Sequence, residues 1–237
     1  MKKTTQFSVV KPTLLVISVL LVFLCGIIQP EYIVAIQIVL LLFAARKVRI
    51  SQSFIALLLI LVFHTGICVL LGRDTIFLAV KQLAGIIVSY LFYKTIVKNK
   101  DDALDALLVY KKFAIIIAVF ALIQQVAFYA HISMIYDLRW LVKGQLAPAN
   151  SVFRASTIFQ EPSECALILL PMAFMAMYLF WGKSKQELAL FISKKEAIII
   201  LLGYVATFSS AGYIGIFIGV IFIWLEYKHN PKQIIIF

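Results

Sequence analysis

Long runs of hydrophobic residues follow one another along this chain, separated by short polar, charged or Gly/Pro-containing breaks. A helix that crosses a membrane needs about 20 apolar residues, with about 17 as a working minimum. The pattern predicts an all-α fold, a single polytopic transmembrane helical bundle over residues 1–237 with about eight spans. The predicted spans are 13–29, 31–45, 54–72, 75–97, 112–130, 164–182, 196–208 and 210–226. The second and the seventh are the shortest.

Composition supports the same fold class. Of the 237 residues, 63% are hydrophobic and 14% are charged, against about 45–50% and about 25% in ordinary soluble domains. The mean hydropathy is +1.02. A net charge of +11 would suggest nucleic acid in a soluble protein, but here it is better explained by membrane topology, and no nucleic-acid partner is expected.

The distribution of Lys and Arg residues indicates the orientation of the bundle. With a cytoplasmic N-terminus, 17 of the 22 Lys and Arg residues fall in cytoplasmic segments and four in outer loops, while Lys81 lies within a span. Lys and Arg are retained on the cytoplasmic side during insertion. The sequence therefore predicts a cytoplasmic N-terminus.

The longest connection between predicted spans, residues 131–161, is expected on the outer face. Connections of this length are usually functional or disordered. Tyr136, Trp140, Phe153 and Phe159 make this one too aromatic for a disordered tail. We expect an interfacial helix around residues 135–142 and a loop that lies over the outer mouth of the bundle.

Two other features concern the cysteines and the chain end. The three cysteines, Cys25, Cys68 and Cys165, show neither a CxxC pattern nor metal-ligand spacing. We expect small buried thiols, with a Cys25–Cys68 disulfide as the alternative. Residues 233–237 look like the start of a further span, so the chain is expected to be a truncated or N-terminal portion of a longer one.

Polar side chains within the predicted spans gather towards the outer side. Lys81 lies in the outer half of the fourth span, Gln124 and Gln125 near the outer end of the fifth, and Glu161 and Glu164 at the start of the sixth. Polar groups are costly in hydrocarbon, so this clustering predicts a site reached from outside. In the alternative interpretation, Lys81 snorkels to the headgroups. Because adjacent helical residues point about 100° apart, only one glutamine is expected to face the site.

Two segments carry residues suited to binding or catalysis. The first runs from Arg154 to Glu161 and Pro162, seven and eight residues later. The planar guanidinium fork suits a diphosphate, because it pairs with two oxygens and keeps its proton. Proline is tolerated in the first turn of a helix. The structural alternative is equally consistent: acidic residues at a helix start favour the helix dipole, and Arg154 is then a solvated loop residue.

The second segment, Ser209-Ser210-Ala-Gly212, interrupts the apolar sequence between the last two spans. Serines at a helix start cap free N–H groups, and those amides also bind an anion such as a lipid phosphate. The alternative is a tight interhelical turn with small residues for close packing.

At these two segments the chain resembles the O-antigen polymerase and O-antigen ligase superfamily of bacterial envelope glycosyltransferases. Members commonly show an outer-face Arg-x-x-Gly/Ser-x-x-x-Glu-Pro stretch, where this chain has Arg154-Ala-Ser-Thr-Ile-Phe-Gln-Glu161-Pro162. Later comes a Thr-x-Ser-Arg/Ser-Gly-type break, where it has Thr207-Phe-Ser-Ser-Ala-Gly212. Two features depart from the family: Ser210 stands where many relatives have Arg, and the family usually has more spans with a second large outer loop.

The resemblance implies metal-independent transfer of a glycan from undecaprenyl diphosphate to a sugar hydroxyl, at the outer face of the bacterial inner membrane and without a cofactor. Arg154 would hold the diphosphate, and Glu161 would act as a base or orient Arg154. The expected substrate-binding residues are Lys81, Glu164, Ser209, Ser210 and Gly212. The implied partners are the lipid-linked oligosaccharide, the bilayer, and chain-length regulator and flippase proteins.

Three other functions remain open from the sequence. A ligase uses the same donor as a polymerase, and the Glu-Pro motif looks closer to the polymerase branch. A polysaccharide transporter or flippase predicts inverted repeats, which are not evident. An inactive, truncated assembly partner predicts that Arg154 and Glu161 tolerate substitution.

Overall fold

The computed structural model describes residues 7–24, 27–28, 30–44, 50–73, 75–97, 99–142, 145, 153–182 and 185–228. Within these residues the chain is helical and contains no β-strand. The helices are α1 (Phe7–Phe23), α2 (Pro30–Ala44), α3 (Gln52–Leu70), α4 (Ile76–Ile96), α5 (Lys100–Tyr129), α6 (Ser133–Tyr136), α7 (Pro162–Trp181), α8 (Lys185–Phe191), α9 (Lys194–Ala206) and α10 (Ser210–Lys228). Cys25 and the predicted span start at 233–237 lie outside the described residues.

Four helices, α3, α4, α5 and α7, are long and apolar enough to cross a membrane. The other apolar stretches are shorter and cover Thr13–Phe23, Glu31–Leu42 and Ser210–Leu225, while α9 has 13 residues. At 1.5 Å of rise per residue, α9 spans about 20 Å. The described structure is therefore an all-helical chain with four helices of membrane-spanning length.

Several helix starts follow from local side-chain chemistry. The hydroxyl of Ser51 accepts the Phe54 N–H at 3.2 Å, and the hydroxyl of Thr75 accepts the Leu78 N–H at 3.3 Å. At α9, Ser193 and Glu196 form a reciprocal capping box. Each of these side chains satisfies a backbone N–H that has no partner within its own helix.

Two elements differ from the sequence expectation. The fifth helix begins at Lys100 rather than near 112, because a charged first part continues into the apolar part; Asp101 and Asp102 in its first turn favour the helix dipole. The helix expected around 135–142 is instead the single turn Ser133–Tyr136. It ends at Asp137, whose backbone is extended, and Leu138 and Val142 beyond it are buried.

Two cysteines are described, and both are free thiols. Cys68 Sγ lies 3.9 Å from His64 Nε2, one helical turn away on α3. Cys165 is fully buried, in line with the expected small buried thiol. The free state of Cys68 argues against a Cys25–Cys68 disulfide.

Contacts between Cα atoms group the chain into two units. The first comprises the residues up to Leu21 together with Ile28–Ala106, and the second comprises Val22–Ile27 and Leu107 onward. In the first unit, α4 packs against α2 and α3. Ser89 Oγ donates to Gln37 Oε1 at 2.8 Å, and the rings of Phe54 and Tyr90 stack with centroids 3.6 Å apart.

In the second unit, α7 packs against α8, α9 and α10. Small residues allow close approach: Ala118 of α5 is fully buried, and a Cβ on Gly203 of α9 would lie 2.5 Å from Ala118 Cα. Gly215 of α10 likewise faces Leu170 and the hydroxyl of Tyr204. Small side chains bring helix backbones together in this way in membrane proteins.

Candidate functional site

All but one of the sequence-predicted site residues belong to the second unit. They lie in the segment 153–161, at the start of α7, and between α9 and α10. The exception is Lys81 of α4, which belongs to the first unit and forms an ion pair with Glu31 of α2. This pairing gives Lys81 a structural partner that the sequence did not suggest, fifty residues away along the chain.

The C-terminal end of α5 directs the chain into the segment that precedes the site. His131 has a φ of 58°, in the left-handed region. The His131 N–H donates to Phe128 O at 3.0 Å and the Ile132 N–H to Ala127 O at 2.8 Å. This is a Schellman arrangement, which satisfies the last carbonyls of a helix and turns the chain away from its axis.

The segment 153–161 is fastened across the ends of α5 and α9. Gln125 Nε2 donates to the carbonyl oxygens of Phe153 at 3.0 Å and Ala206 at 2.7 Å. The Ala155 N–H also donates to Ala206 O, at 3.1 Å. Carbonyls in the last turn of a helix lack hydrogen-bond donors within the helix. These bonds supply donors to the Ala206 carbonyl of α9 and hold the segment in place.

The middle of this segment is held by Gln124, whose side chain is fully buried. Its Oε1 accepts the Thr157 N–H at 2.8 Å, and its Nε2 lies 3.5 Å from the carbonyl oxygens of Ile135 and Tyr136. Thr157 has a φ of 53°, which is unusual for a β-branched residue. Its hydroxyl also lies 3.5 Å from Cys165 Sγ, so this conformation is held from two sides.

A third side-chain amide, that of Gln145, joins the two described parts of the loop. Its Oε1 accepts the Leu138 N–H at 3.0 Å. Its Nε2 donates to Ser156 Oγ at 2.7 Å and to the carbonyl oxygens of Thr157 and Phe159 at 3.1 Å each. Gln145 is buried, so the network replaces the hydrogen bonds to water that it loses.

Aromatic packing covers the same junction. The rings of Phe128 and Phe153 stack with centroids 4.9 Å apart, and Tyr136 meets Phe153 edge-on at 5.7 Å. Phe153 belongs to a core cluster with Ala121, Ala155 and Ala206. The loop therefore has its own apolar support in addition to the glutamine network.

Arg154 projects from this supported segment. Its neighbours Phe153 and Ala155 are buried, whereas Arg154 itself is exposed. Its guanidinium makes no ion pair or side-chain hydrogen bond with a described residue. By contrast, Arg139 forms a fork with Asp137, with Nη2 2.6 Å from Oδ2. Arg154 thus presents guanidinium donors that have no partner among the described residues, on a backbone whose position is set by its neighbours.

The two acidic residues at the start of α7 have different surroundings. Glu161 is the N-cap residue without a capping hydrogen bond, and its Oε2 accepts the Ser163 hydroxyl at 2.8 Å. Glu164 Oε2 accepts the Gln160 N–H at 3.1 Å, reaching back across the helix start. Glu164 therefore has a helix-start role, while Glu161 keeps one carboxylate oxygen without a described partner.

The predicted break between the last two helices falls at 207–209. Thr207 Oγ1 donates to Tyr204 O at 2.8 Å, and Phe208 has a φ of 43°. Ser209 is buried, and its Oγ has no described hydrogen-bond partner. Ser210 is exposed at the first position of α10.

Gly212 has a packing role. Its carbonyl accepts the Tyr204 hydroxyl at 2.8 Å, and a Cβ built on it would lie 3.4 Å from Ala166 Cβ on α7. Gly212 therefore serves close packing between helices, as the alternative interpretation of this segment expects, whereas the Ser210 hydroxyl is exposed.

Sequence reasoning missed several residues of this region. Gln145 lies outside every predicted span, and nothing local marks it as a connector. Ser133, Met134, Asp137, Arg139 and Trp140 line a shallow groove of about 500 Å³. Leu138 and Val142 are four residues apart and both apolar. This spacing could have predicted that one side of the segment beside the groove is buried.

The described residues contain no group of three or more His, Cys, Asp or Glu side chains that could hold a metal ion. No protein-family model, curated protein or solved structure matches this chain. The described residues define the class: an all-helical protein with four helices long and apolar enough to cross a membrane and a braced loop that carries an arginine.

Proposed function

We propose that the chain is a membrane polysaccharide polymerase that joins lipid-linked oligosaccharide repeat units of an O-antigen, capsule or exopolysaccharide. The observation that carries the proposal is Arg154, an exposed guanidinium without a described partner on a backbone braced by Gln124, Gln125 and Gln145. A preorganised cation of this kind stabilises developing negative charge without reorganising during the reaction.

The proposed topology places this loop on the outer face of the bacterial inner membrane. It uses all eight apolar segments as spans, with the N-terminus in the cytoplasm. The excess of Lys and Arg in the segments assigned to the cytoplasm supports this orientation. Lipid-linked glycans are polymerised on that outer face, so the loop and its substrates share one side.

In the proposed reaction, a sugar hydroxyl of the acceptor attacks the anomeric carbon of the donor glycan. The new glycosidic C–O bond forms as the bond between that carbon and the diphosphate oxygen breaks, and undecaprenyl diphosphate leaves. Arg154 pairs with the diphosphate and stabilises the charge that develops on it. Glu161 accepts the hydroxyl proton through its free carboxylate oxygen.

The remaining assignments follow from exposure. Ser210, exposed at the start of α10, contributes its hydroxyl and a helix N-terminus towards phosphate or sugar. Glu164 and Gly212 support the local backbone through the contacts described above, whereas the buried Ser209 hydroxyl has no described hydrogen-bond partner. Lys81 belongs to the first unit and pairs with Glu31, so the proposal assigns it no part in the reaction.

The test is a gel of surface polysaccharide from the source bacterium. It compares wild type, a deletion, and the deletion carrying this chain or its Arg154→Ala or Arg154→Lys variant. We expect deletion to reduce the ladder to single repeat units, the chain to restore it, and neither variant to do so fully. Arg73→Ala removes another exposed arginine and serves as the matched control. A ladder unaffected by deletion would overturn the proposal, and full rescue by Arg154→Ala would remove its central residue.

A further inference from the structure

The groove beside α6 has the chemistry of a sugar-binding surface. Its volume of about 500 Å³ falls within the range of about 300–1,000 Å³ that is usual for small-molecule sites. Trp140 and Met134 are 66% and 74% exposed. The buried side chains of Leu138 and Val142, two residues to either side, fix the backbone that presents the exposed Trp140 ring.

The polar side of the groove is an ion pair with spare hydrogen-bonding capacity. Arg139 Nε lies 2.8 Å from Asp137 Oδ1, and Nη2 lies 2.6 Å from Oδ2. A guanidinium has five N–H donors, so both Nη1 hydrogens and one Nη2 hydrogen have no partner among the described residues. Each oxygen of the Asp137 carboxylate already accepts two contacts from Arg139, and Ser133 adds a hydroxyl that both donates and accepts. Donors and acceptors therefore stand side by side next to an apolar ring.

This combination favours a neutral polyhydroxylated ligand over a phosphate-bearing one. The Asp137 carboxylate balances the Arg139 charge, so the groove has no net positive charge from this pair with which to attract an anion. Vicinal sugar hydroxyls both donate and accept hydrogen bonds, and the groove offers both through the Arg139 donors and the Ser133 hydroxyl. The C–H face of a pyranose ring packs against the negative face of an indole.

The groove is also mechanically tied to the Arg154 loop. Leu138, between Asp137 and Arg139, is buried, and its N–H donates to Gln145. Gln145 in turn donates to the carbonyl oxygens of Thr157 and Phe159. A ligand in the groove is thus held by the same braced structure that presents Arg154.

We propose that this groove binds a neutral sugar ring of the growing glycan, with Trp140 as the stacking platform and the Asp137–Arg139 pair as the hydroxyl-binding group. The inference rests on the proposed function for the identity of the glycan, but the binding itself is measurable without catalysis.

The first experiment uses the full chain in phosphatidylcholine nanodiscs with Trp181→Phe and Trp224→Phe, which leaves Trp140 as the only tryptophan. The probe is the oligosaccharide repeat released by mild hydrolysis from the source bacterium's surface polysaccharide. We expect a saturable change in Trp140 emission, with Asp137→Asn raising the Kd roughly tenfold. A reciprocal chain, Trp140→Phe with the other two tryptophans kept, should not respond. No sugar-dependent change in Trp140 emission would overturn the proposal.

Lipid contact is the competing occupant, because exposed tryptophans also lie at membrane interfaces. Nanodiscs of tail-brominated phosphatidylcholine distinguish the two. We expect little quenching of Trp140 and strong quenching of a chain that keeps only Trp224, in the apolar helix α10. Equal quenching of both would show that lipid covers the groove and would overturn the proposal.

The second experiment measures polymerisation with purified chain and lipid-linked repeat units. Trp140→Ala should raise the KM for the acceptor roughly tenfold while changing kcat little, and Trp140→Phe should restore most of the loss. Trp181→Ala is the matched exposed control. Sugar binding without any polymerisation by the wild-type chain would refute the proposed function and leave the groove assignment intact. Polymerisation unaffected by Trp140→Ala would refute the assignment and leave the function intact.

Discussion

The backbone N–H of Thr157 donates a 2.8 Å hydrogen bond to the side-chain oxygen of Gln124, which is fully buried on α5. Thr157 occupies the left-handed region of backbone space, where a β-branched residue is strained by about 1–3 kcal/mol. The bond therefore holds a conformation that the chain would otherwise leave. Arg154, three residues earlier, depends on that conformation for its position.

Replacing Gln124 by Leu should loosen this loop. The change leaves the Thr157 N–H buried without an acceptor, at a cost of about 1–3 kcal/mol. We expect a lower unfolding temperature in detergent and a weakened polysaccharide ladder. Gln82→Leu, at an exposed position of α4, is the matched control. An unchanged melting temperature together with a full ladder would contradict the bracing role.

Replacing Gly203 by Ala should separate α5 from α9. The new Cβ would lie 2.5 Å from Ala118 Cα, so the helices must move apart; overpacking of this kind costs about 1–3 kcal/mol. Gly66→Ala is a sharp control, since nothing lies within 4 Å of its Cβ position. Thermal unfolding of the two purified variants should show a clear decrease for Gly203→Ala alone.

Lys111 and Glu196 should show energetic coupling. Lys111 Nζ lies 3.1 Å from Glu196 Oε1 and 2.8 Å from Phe191 O, with the lysine side chain only 12% exposed. A double-mutant cycle with Lys111→Met and Glu196→Gln should give a coupling energy of about 0.5–3 kcal/mol. Glutamine still caps the helix in the Ser193 box, so the cycle isolates the ion pair. Strictly additive losses would argue against it.

Glu161→Gln should separate proton transfer from structure. The amide oxygen still accepts the Ser163 hydroxyl, while the basic carboxylate is lost. We expect kcat for polymerisation to fall by about 100-fold or more, with little change in melting temperature. Asp105→Asn, at an exposed position of α5, should leave both unchanged. Normal turnover in Glu161→Gln would leave Glu161 without the base role.

The fluorescence emission of Trp140 should change when strong acid protonates Asp137, but not under mildly acidic conditions. Hydrogen bonding from Arg139 holds the pKa of Asp137 below its ordinary value, which is about 3.9. A lowered carboxyl pKa contributes stability that is present above the unfolded pKa and lost as pH falls through the folded pKa. Trp140 emission in the single-tryptophan chain should therefore stay constant from about pH 8 to 5 and change only below about pH 4. Asp137→Asn should abolish that change, and a midpoint above the ordinary value would contradict the pairing.

Much of the helical framework was predictable, because it depends on interactions close in sequence. Apolar runs of sufficient length predict helices, and Ser51, Thr75 and Pro162 mark helix starts through their own side chains or rings. The break before Ser210 was visible for the same reason. The polar first part of α5 was not, since its helix is favoured by acidic residues in the first turn rather than by an apolar run.

The candidate site was only partly predictable. Arg154 and Glu161 stood out by residue type and spacing, but the sequence allowed only one of Gln124 and Gln125 to face the site. Both bond to the loop: because the loop crosses the end of α5, side chains pointing about 100° apart meet different parts of it. Gln145 gave no signal at all.

The sequence by itself determined that the chain forms long apolar helices, because composition and the length of apolar runs do not depend on tertiary contacts. Only the tertiary structure decided which polar groups are partners. Gln125 with Ala206 and Lys81 with Glu31 are separated by 81 and 50 residues. Such pairs form only when the helices pack within each unit. Hydrogen bonds between residues so far apart in sequence produce no periodic pattern from which they could be predicted.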